Sequence, residues 1–386
     1  MSQPDAQTPH LAPSAPLQPL PPLPAEQLLI DCLPDWGGLR GLVVSPGRAQ
    51  LADHLVAVRG MPYVAAWYVD LHDAAAANAV CAEGVHVLCG SDLPDSEHDI
   101  GEVAEALDVA TPKSETPDGF HFDLIAMPVL RRGEVEMTRE LMQQAHQRLA
   151  IGGYLAVSVD NPKDQWLHEQ MQALFDKVTS HRTPQGCAYW GKKTKPLKKL
   201  KDFSCQFAFR DEDSQRMIQV LTRPSVFSHR RLDPGARQLM LTAEIGPTDN
   251  VLEMGCGAGA VSLAAAFETS GTVFAVDANA RAIECTQRGA QLNGLENVQA
   301  ILNADGDLDL PVAIDLALAN PPYFGDDRIS QHFVDTAVGV LRPGGALLVV
   351  TKNPEWYGAY FEALQLEDIV IFESSKYYIA CGRKPA

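Results

Sequence analysis

The run Asn320-Pro321-Pro322-Tyr323 has the residue types needed to present a nitrogen atom to an electrophilic carbon. The lone pair of an exocyclic amine is delocalised into its ring, so the amine must be held by its hydrogens to aim that lone pair. The side-chain oxygen of Asn320 and the carbonyl of Pro321 can accept those hydrogens, and Tyr323 can stack on a flipped base. We therefore predict Asn320, Pro321 and Tyr323 as catalytic residues for methylation of an amine or amide nitrogen. The alternative is a proline-rich turn capped by Asn320.

A glycine-rich turn, Glu253-Met254-Gly255-Cys256-Gly257-Ala258-Gly259, precedes this run. Its glycines permit a tight turn and a close approach to a ligand, and the helix expected after it offers free amide groups. Such a loop also occurs in dehydrogenases. Asp277, at the end of the second predicted strand, is placed to accept from both hydroxyls of a ribose.

Two further residues complete the predicted nucleoside site. Asp305 follows the third predicted strand and can accept from an adenine amine, with a turn cap as its alternative role. Phe227 lies in a basic, turn-rich segment that either folds over a ligand as a lid or links two domains. The predicted cofactor-binding residues are Phe227, Glu253, Gly255, Gly257, Gly259, Asp277, Asp305 and Asn320.

The elements needed to position these residues alternate as a parallel sheet requires. Strands are expected at residues 251–254, 273–277, 299–303, 315–319 and 346–351, with helices at 261–267, 280–292 and 331–341. A closing antiparallel hairpin is expected from residues 368–372 and 377–381. This pattern predicts a doubly wound sheet whose ligand lies beyond the carboxyl ends of the strands.

The two halves of the chain resemble each other. Residues 149–157 match 341–349, and Asp123 matches Asp315 at the same separation of 192 residues. With slightly larger separations, Asp70 matches Asp277 and residues 44–47 match 252–255. These blocks occur in the same order, which indicates a tandem duplication.

The first copy lacks the chemistry of the second. At the positions of Gly255, Gly257 and Gly259 this alignment places Gly47, Ala49 and Leu51, and we expect Leu51 to obstruct a cofactor. Opposite residues 320–323 stand Pro128-Val129-Leu130-Arg131, which offer no acceptor side chain and no stacking ring.

The 386 residues and 46% hydrophobic content suit two domains. We predict a disordered proline-rich tail at residues 1–25 and a degenerate domain at 26–200 that binds no cofactor and serves folding and RNA binding. A linker at 201–222 and a catalytic domain at 223–386 follow. The predicted fold is α/β, with two tandem Rossmann-like domains, each a mostly parallel sheet ending in an antiparallel hairpin.

The net charge of −18 argues against a protein that coats nucleic acid by bulk electrostatics. Residues 181–240, however, hold 13 Lys or Arg against 5 Asp or Glu, so a polyanion should dock there. A solvated charge run is the alternative. The predicted RNA-contacting residues are Lys192, Lys193, Lys195, Lys198, Lys199, Lys201, Arg230 and Arg231.

The eight cysteines are scattered without metal-ligand spacing, so they indicate free thiols in a reducing compartment and no metal site. We find no signal-peptide pattern and no apolar run long enough to cross a membrane, and we expect a cytoplasmic protein.

The C-terminal half resembles the bacterial ribosomal RNA guanine-N2 methyltransferases of the small-subunit type and their large-subunit relatives. The family's Pro-Gly-Val-Phe-Ser…Leu-Asp-x-Gly segment corresponds to residues 224–228 and 232–235, its Asp-x-Gly-x-Gly-x-Gly loop to 253–259, and its Asn-Pro-Pro-Phe to 320–323. Here Ser225 replaces the family's usual Gly and Tyr323 its commoner Phe. The tandem arrangement with a degenerate first copy also matches.

The resemblance implies an S-adenosylmethionine-dependent class I methyltransferase that acts on the N2 amine of a guanine in ribosomal RNA or a ribosomal subunit. We expect it to act as a monomer. Because Tyr323 is also frequent in the corresponding motif of other enzymes, adenine-N6 and protein glutamine-N5 methylation remain alternatives. A small-molecule methyltransferase and a non-enzymatic RNA-binding or assembly factor are further alternatives.

Overall fold

The computed structural model describes residues 21–38, 40–94, 121–212, 214–322 and 327–386. Most of the predicted proline-rich tail lies outside these ranges, as does the predicted catalytic residue Tyr323.

The first half of the chain forms a seven-stranded sheet in the order β3-β2-β1-β4-β5-β7-β6. Strands β1 to β5 pair in parallel, whereas β7 runs antiparallel to both β5 and β6. The strands are β1 (Arg40–Val44), β2 (Tyr63–Tyr68), β3 (Val85–Cys89), β4 (Phe122–Val129), β5 (Leu149–Val159), β6 (Val178–Thr183) and β7 (Gly186–Lys192). The helices are α1 (Pro24–Cys32), α2 (Gln50–Ala57), α3 (Leu71–Asn78), α4 (Val135–Arg148) and α5 (Trp166–Leu174).

The second half repeats this sheet in the order β12-β11-β10-β13-β14-β16-β15. Again the last two strands are antiparallel and the others are parallel. The strands are β10 (Val251–Met254), β11 (Val273–Asp277), β12 (Val298–Leu302), β13 (Ile314–Ala319), β14 (Leu341–Thr351), β15 (Glu367–Ser374) and β16 (Tyr377–Arg383). The helices are α6 (Pro234–Thr242), α7 (Ala260–Glu268), α8 (Ala280–Asn293), α9 (Asp327–Val340) and α10 (Pro354–Ala363).

The identical strand order confirms the prediction of two tandem Rossmann-like domains. Local contacts repeat as well. The carboxylate of Asp123 accepts from the backbone N–H of Arg40, and that of Asp315 accepts from the N–H of Asn250, at 3.0 and 2.8 Å. In both halves this contact ties the start of the first strand to the fourth.

The structure corrects the predicted alignment at the first loop. Ala49 precedes α2 with φ +66°, just as Gly259 precedes α7 with φ +77°. Ala49 is therefore the counterpart of Gly259, and the predicted pairing was displaced by two residues. Leu51 was expected to obstruct a cofactor, but it lies inside α2 and is fully buried in the core.

The counterpart of Asp277 also changes. Asp70 caps α3 with its side chain, as Asn279 caps α8. The last residue of β2 is Tyr68, and the last residue of β11 is Asp277. Tyr68, rather than Asp70, therefore occupies the position of Asp277, the predicted ribose-binding acid.

The segment predicted as a linker contains a two-stranded hairpin, β8 (Cys205–Arg210) and β9 (Met217–Thr222). Ile218 and Val220 are buried in a cluster with Leu263 of α7 and Cys285 of α8. The hairpin is therefore packed against the second half through its apolar face.

The two halves meet through a symmetric pair of backbone hydrogen bonds. The N–H of Leu71 donates to the carbonyl of Ala278, and the N–H of Ala280 donates to the carbonyl of Val69, each at 2.8 Å. Each half thus contributes the turn at the start of its third helix, and the two turns pair as equivalents.

Buried charges lie beside this contact. Arg281 of α8 is fully buried and contacts Glu140 of α4 at 2.9 Å, the carbonyl of Ser91 at 2.8 Å and that of Pro224 at 3.0 Å. Arg223 contacts Glu140 at 2.7 Å and also pairs with Asp92 and Glu284. The arginines come from the second half, whereas Asp92 and Glu140 come from the first.

Among the residues that the structure describes, no helix is long and apolar enough to cross a bilayer. The same residues hold no cluster of three or more His, Cys, Asp or Glu side chains suited to a metal ion.

We predict that Arg281→Met lowers the free energy of unfolding by about 3 kcal/mol, because it removes a fully buried guanidinium that donates to the carbonyls of Ser91 and Pro224 and pairs with Glu140. Urea denaturation followed by circular dichroism measures the change. Arg288→Met is the control, since Arg288 is half-exposed and pairs with Glu284 on one helix; about 0.5 kcal/mol or less is expected there. Equal midpoints for the two variants would contradict the stabilising role of Arg281.

Candidate active site

A small cavity of about 50 Å³ lies beyond the carboxyl ends of β10 and β13. The loop after β10, the segment before α6 and the end of β13 surround it. Its lining residues are Phe207, Phe227, Ser228, Arg231, Leu232, Asp233, Ala236, Glu253, Gly255, Cys256, Gly257, Ala258, Ala260, Val261 and Asn320. Five of the eight predicted cofactor-binding residues are therefore brought together here, and Gly259 and Asp277 adjoin them through the same loop.

The loop after β10 has the backbone conformation expected of a nucleotide-binding turn. Gly257 has φ +54°, and the nearest atom to a Cβ built there would be the carbonyl oxygen of Phe227, at 4.0 Å. The backbone at Gly257 is thus open to a ligand. Gly259 has φ +77° and starts α7, whose first amide groups have no partner within the helix.

Asp277 is bonded to this loop. Its two carboxylate oxygens accept from the N–H groups of Gly257 and Asn279, each at 2.9 Å. Burial raises the pKa of the Asp277 carboxyl. Each oxygen keeps a further lone pair, so the carboxylate can still accept from hydroxyl groups.

Glu253 supports the loop from below. Its carboxylate is buried and accepts from the N–H of Ser262 at 2.8 Å and from the Ser262 hydroxyl, so it ties β10 to the first turn of α7. Burial raises the pKa of Glu253 from 4.5 to about 8.

The side chain of Asn320 is oriented by Asp233. The Asn320 amide nitrogen donates to a carboxylate oxygen of Asp233 at 2.9 Å, and the same oxygen accepts from the N–H of Ala236 at 2.9 Å. A carboxylate only accepts, so the nitrogen of Asn320 must face Asp233 and its oxygen must face away. The Asp-Pro sequence predicts a helix cap at Asp233, but not this contact across 87 residues.

The segment that carries Phe227 is held by the first half. Glu134 accepts from the N–H of Ser225 at 2.6 Å, and both carboxylate oxygens of Glu136 accept from Arg230, at 2.9 and 3.0 Å. Ser225, where the family usually has Gly, has φ +79°. This left-handed conformation explains the preference for Gly. Phe227 is 65% exposed at the rim of the cavity.

Asp305 lies outside the cavity lining. It is exposed, and its carboxylate accepts from the N–H of Asp307 at 3.0 Å and from the side chain of Asn303 at 2.9 Å. This is the turn-stabilising geometry, and contact with an adenine stays a prediction.

Lys193 was predicted to contact RNA, but the structure places it in the interior. Lys193 is buried, and its ammonium group donates to the carbonyls of Gln147 and Leu149 at the end of α4. In the second half, Lys384 caps the end of α9 in the same way. Both lysines stabilise a helix terminus, and Lys193 is buried.

The other predicted RNA residues differ in their surroundings. Lys195 pairs with Asp176 on the surface, and Arg230 pairs with Glu136. Arg231 is exposed and lines the cavity. The remaining four are exposed side chains, namely Lys192, Lys198, Lys199 and Lys201.

The corresponding region of the first half is filled. Helices α1 and α6 both begin at a proline, Pro24 and Pro234, so Glu26 takes the place of the cavity residue Ala236. The fully buried Glu26 carboxyl lies against Gly47, where a Cβ would clash with it. Burial raises the pKa of this carboxyl. Glu26 and the buried Tyr68 thus occupy the space that corresponds to the open space beside Gly257 and Asp277 in the second half.

Comparison with known proteins finds a family model that matches the second half. The profile of the methyltransferase small domain matches residues 217–380. The chain is 29% identical over 269 residues to ribosomal RNA small subunit methyltransferase C of Hahella chejuensis, covering 66% of this chain and 70% of that protein. It is 28% identical over 222 residues to ribosomal RNA large subunit methyltransferase G of Shewanella amazonensis, covering 55% and 56%.

A solved structure shares the complete two-half fold. It is a 16S rRNA N2 methyltransferase of T. thermophilus in complex with AdoMet and guanosine, which superposes with a TM-score of 0.68 at 21% identity. The match covers 94% of this chain and 92% of that one. The family resemblance inferred from the motifs is confirmed.

We predict that Glu253→Gln removes a pH dependence of stability. Because the folded-state pKa of about 8 lies above the ordinary 4.5, the folded protein is most favoured below pH 4.5 and loses stability as pH rises towards 8. The slope is at most about 1.4 kcal/mol per pH unit. Urea denaturation of the unliganded protein at pH 5 and pH 8 should show this loss in the parent and in Glu296→Gln, an exposed control. If Glu253→Gln lost as much stability between pH 5 and pH 8 as the parent, the raised pKa could not be assigned to Glu253.

Proposed function

With residues 217–380 identified as a methyltransferase small domain, we propose that this chain methylates the N2 amine of a guanine in ribosomal RNA, using S-adenosylmethionine. The observation that carries the proposal is the orientation of Asn320 by Asp233 at the rim of a glycine-loop cavity. Neither a nucleotide-binding loop nor an Asn-Pro-Pro turn alone would specify this chemistry.

The residues of the cavity fit an adenosyl cofactor. The open backbone at Gly257 and the start of α7 suit its polar groups, and the Asp277 carboxylate suits the two ribose hydroxyls. When bound, S-adenosylmethionine supplies an electrophilic methyl group. The exposed Phe227 lies at the rim of the cavity, where its ring can cover a bound ligand as a lid.

The chain's own contribution to the reaction is the orientation of the acceptor nitrogen. The Asn320 oxygen faces away from Asp233, and the carbonyl of Pro321 has no competing amide from Pro322. Together they accept the two hydrogens of the amine and direct its lone pair. Asp233 acts as a positioning residue because it touches Asn320 rather than the acceptor.

Guanine is favoured over the other acceptors by the relatives. The superposed T. thermophilus enzyme is an N2 methyltransferase crystallised with guanosine, and the sequence relatives are ribosomal RNA methyltransferases. Adenine N6 and protein glutamine remain the alternatives because of Tyr323. We further propose that the chain acts as a monomer in the cytoplasm, where its ribosomal substrate is made; light scattering after gel filtration tests the oligomeric state.

The direct test is to incubate the protein with isotope-labelled S-adenosylmethionine and undermethylated ribosomal RNA or subunits. Mass spectrometry of the digested RNA should find the label in N2-methylguanosine. Label in N6-methyladenosine would identify adenine as the acceptor instead of guanine, and label in protein would identify a protein acceptor. Cofactor binding without transfer to any RNA would favour an assembly factor.

Asn320→Ala should reduce kcat for RNA methylation about 100-fold or more, because one of the two groups that orient the amine is lost. Single-turnover kinetics measure the rate, and calorimetry should show a much smaller change in cofactor affinity. The matched control is Pro128→Ala, at the equivalent strand end of the first half. Full activity in Asn320→Ala would exclude the mechanism.

Calorimetry should find one S-adenosylmethionine bound per chain, because Glu26 and Tyr68 fill the equivalent region of the first half. The variant Asp277→Ala should abolish this binding, since it removes the ribose-binding carboxylate. A second binding event, or binding retained in Asp277→Ala, would show that the first half is not degenerate.

A further inference from the structure

A second cavity lies in the first half, between α4, α5 and the lysine-rich segment that follows β7. It measures about 270 Å³, several times the volume of the cavity beside Asn320. Its lining residues are Arg139, Met142, Gln143, Gln170, Ala173, Leu174, Lys201 and Phe203. They combine an apolar floor, from the buried Met142 and Phe203, with two cationic side chains at the rim.

Amide side chains contact both cationic residues, Lys201 through its backbone and Arg139 through its guanidinium. Gln143 exchanges two hydrogen bonds of 3.0 Å with the backbone of Lys201, which fixes this residue to α4. Gln170 accepts from Nε of Arg139 at 3.0 Å, and the guanidinium lies 5.6 Å from the Trp166 ring centre. The ammonium of Lys201 lies 4.7 Å from the Phe203 ring centre. The charges are therefore preorganised on one side of the cavity.

The repeated fold provides an internal comparison. Leu167 and Met171 are the buried positions of α5, and Tyr357 and Phe361 are those of α10, so Gln170 corresponds to Tyr360. In the second half the Tyr360 hydroxyl donates to Asp335 at 2.6 Å, and its ring stacks on Trp356 with centroids 4.9 Å apart.

At 192 residues' separation, the position of Asp335 is occupied in the first half by Gln143. The first half thus has the amide of Gln143 where the second has the carboxylate of Asp335. It has the amide of Gln170 where the second has the ring of Tyr360. The groove between these two helices consequently lacks, in the first copy, the negative charge that Asp335 places there in the second.

The cavity lies on the helix that also contacts the active-site segment. Along α4, Glu136 pairs with Arg230, while Arg139 and Gln143 line the cavity. Glu136, Arg139 and Gln143 lie on successive turns of this helix, and each turn rises about 5.4 Å along its axis. Arg231, next to Arg230, lines the cavity beside Asn320. A single strand that entered the active site could therefore reach the second cavity within a few nucleotides.

We propose that this cavity binds an unpaired nucleotide of the substrate RNA, a few nucleotides from the methylated base. The apolar floor takes the base, whereas Arg139 and Lys201 take its phosphate. An acidic peptide would match the two cations but would leave the aromatic and thioether floor unused. This inference rests on the proposed function, because it takes RNA as the substrate.

The test is Ala173→Trp, which fills the cavity from its exposed edge without changing any charge. Gln172→Trp is the matched control, since Gln172 is the exposed neighbour on α5 and does not line the cavity. We expect Ala173→Trp to weaken binding of deproteinised, fluorescently labelled small-subunit ribosomal RNA about tenfold in fluorescence anisotropy, as loss of one stacked base would. Gln172→Trp should bind like the parent, and both should keep the parent's melting temperature and cofactor affinity.

Lys201→Gln provides a second variant that adds no bulk. It should lower the slope of log K against log salt by about one phosphate contact. RNA affinity within twofold of the parent in both Ala173→Trp and Lys201→Gln would overturn the proposal. Weakened binding to assembled subunits alone, with naked RNA unaffected, would also overturn it in favour of a ribosomal protein as the ligand. If the parent methylates no RNA while Ala173→Trp still loses RNA affinity, the proposed activity fails and the cavity assignment stands.

Discussion

The pairing of the fully buried Arg281 with the part-buried Glu140 is the interaction on which the arrangement of the site depends. A guanidinium without partners cannot be buried at an acceptable free energy, so α8 of the second half requires α4 of the first. The same guanidinium bonds to the carbonyl of Pro224, which starts the segment that carries Phe227. One side chain therefore joins the domain interface to the rim of the active site.

This arrangement gives the first half a defined task at the candidate site. Glu134 and Glu136 hold the strained backbone around Ser225 and Arg230, and neither belongs to the half that contains the glycine loop. Contacts that stabilise the fold recur in both copies: Asp123 and Asp315 make equivalent contacts, and so do Lys193 and Lys384. The predicted ligand-binding positions differ instead, because Glu26 and Tyr68 fill the equivalent region of the first copy.

Most of the second half could be predicted from the sequence because its strands are short apolar runs bounded by glycine, proline or aspartate. The strand at 251–254 and its glycine turn lie where the pattern placed them, and the duplication was visible in the repeats around 149 and 341. The register of the first loop was misjudged, since glycine spacing alone does not reveal that Ala49 takes the left-handed position before α2. Helices α6 and α10 were not anticipated, and the contact between Asp233 and Asn320 joins residues far apart in the chain. Lys193 was misassigned because a lysine run does not show which side chain turns inward to cap a helix.

The ion pair between Glu140 and the buried Arg281 also limits how such a chain can diverge. Recombination that replaced one copy with that of another lineage would leave the buried Arg281 guanidinium, or the Glu140 carboxylate, without its counterion. Substitutions on α4 and at the start of α8 must accordingly arise as compensating pairs. The first copy can thus change at the loop that Glu26 fills, yet it is inherited as an inseparable part of the second.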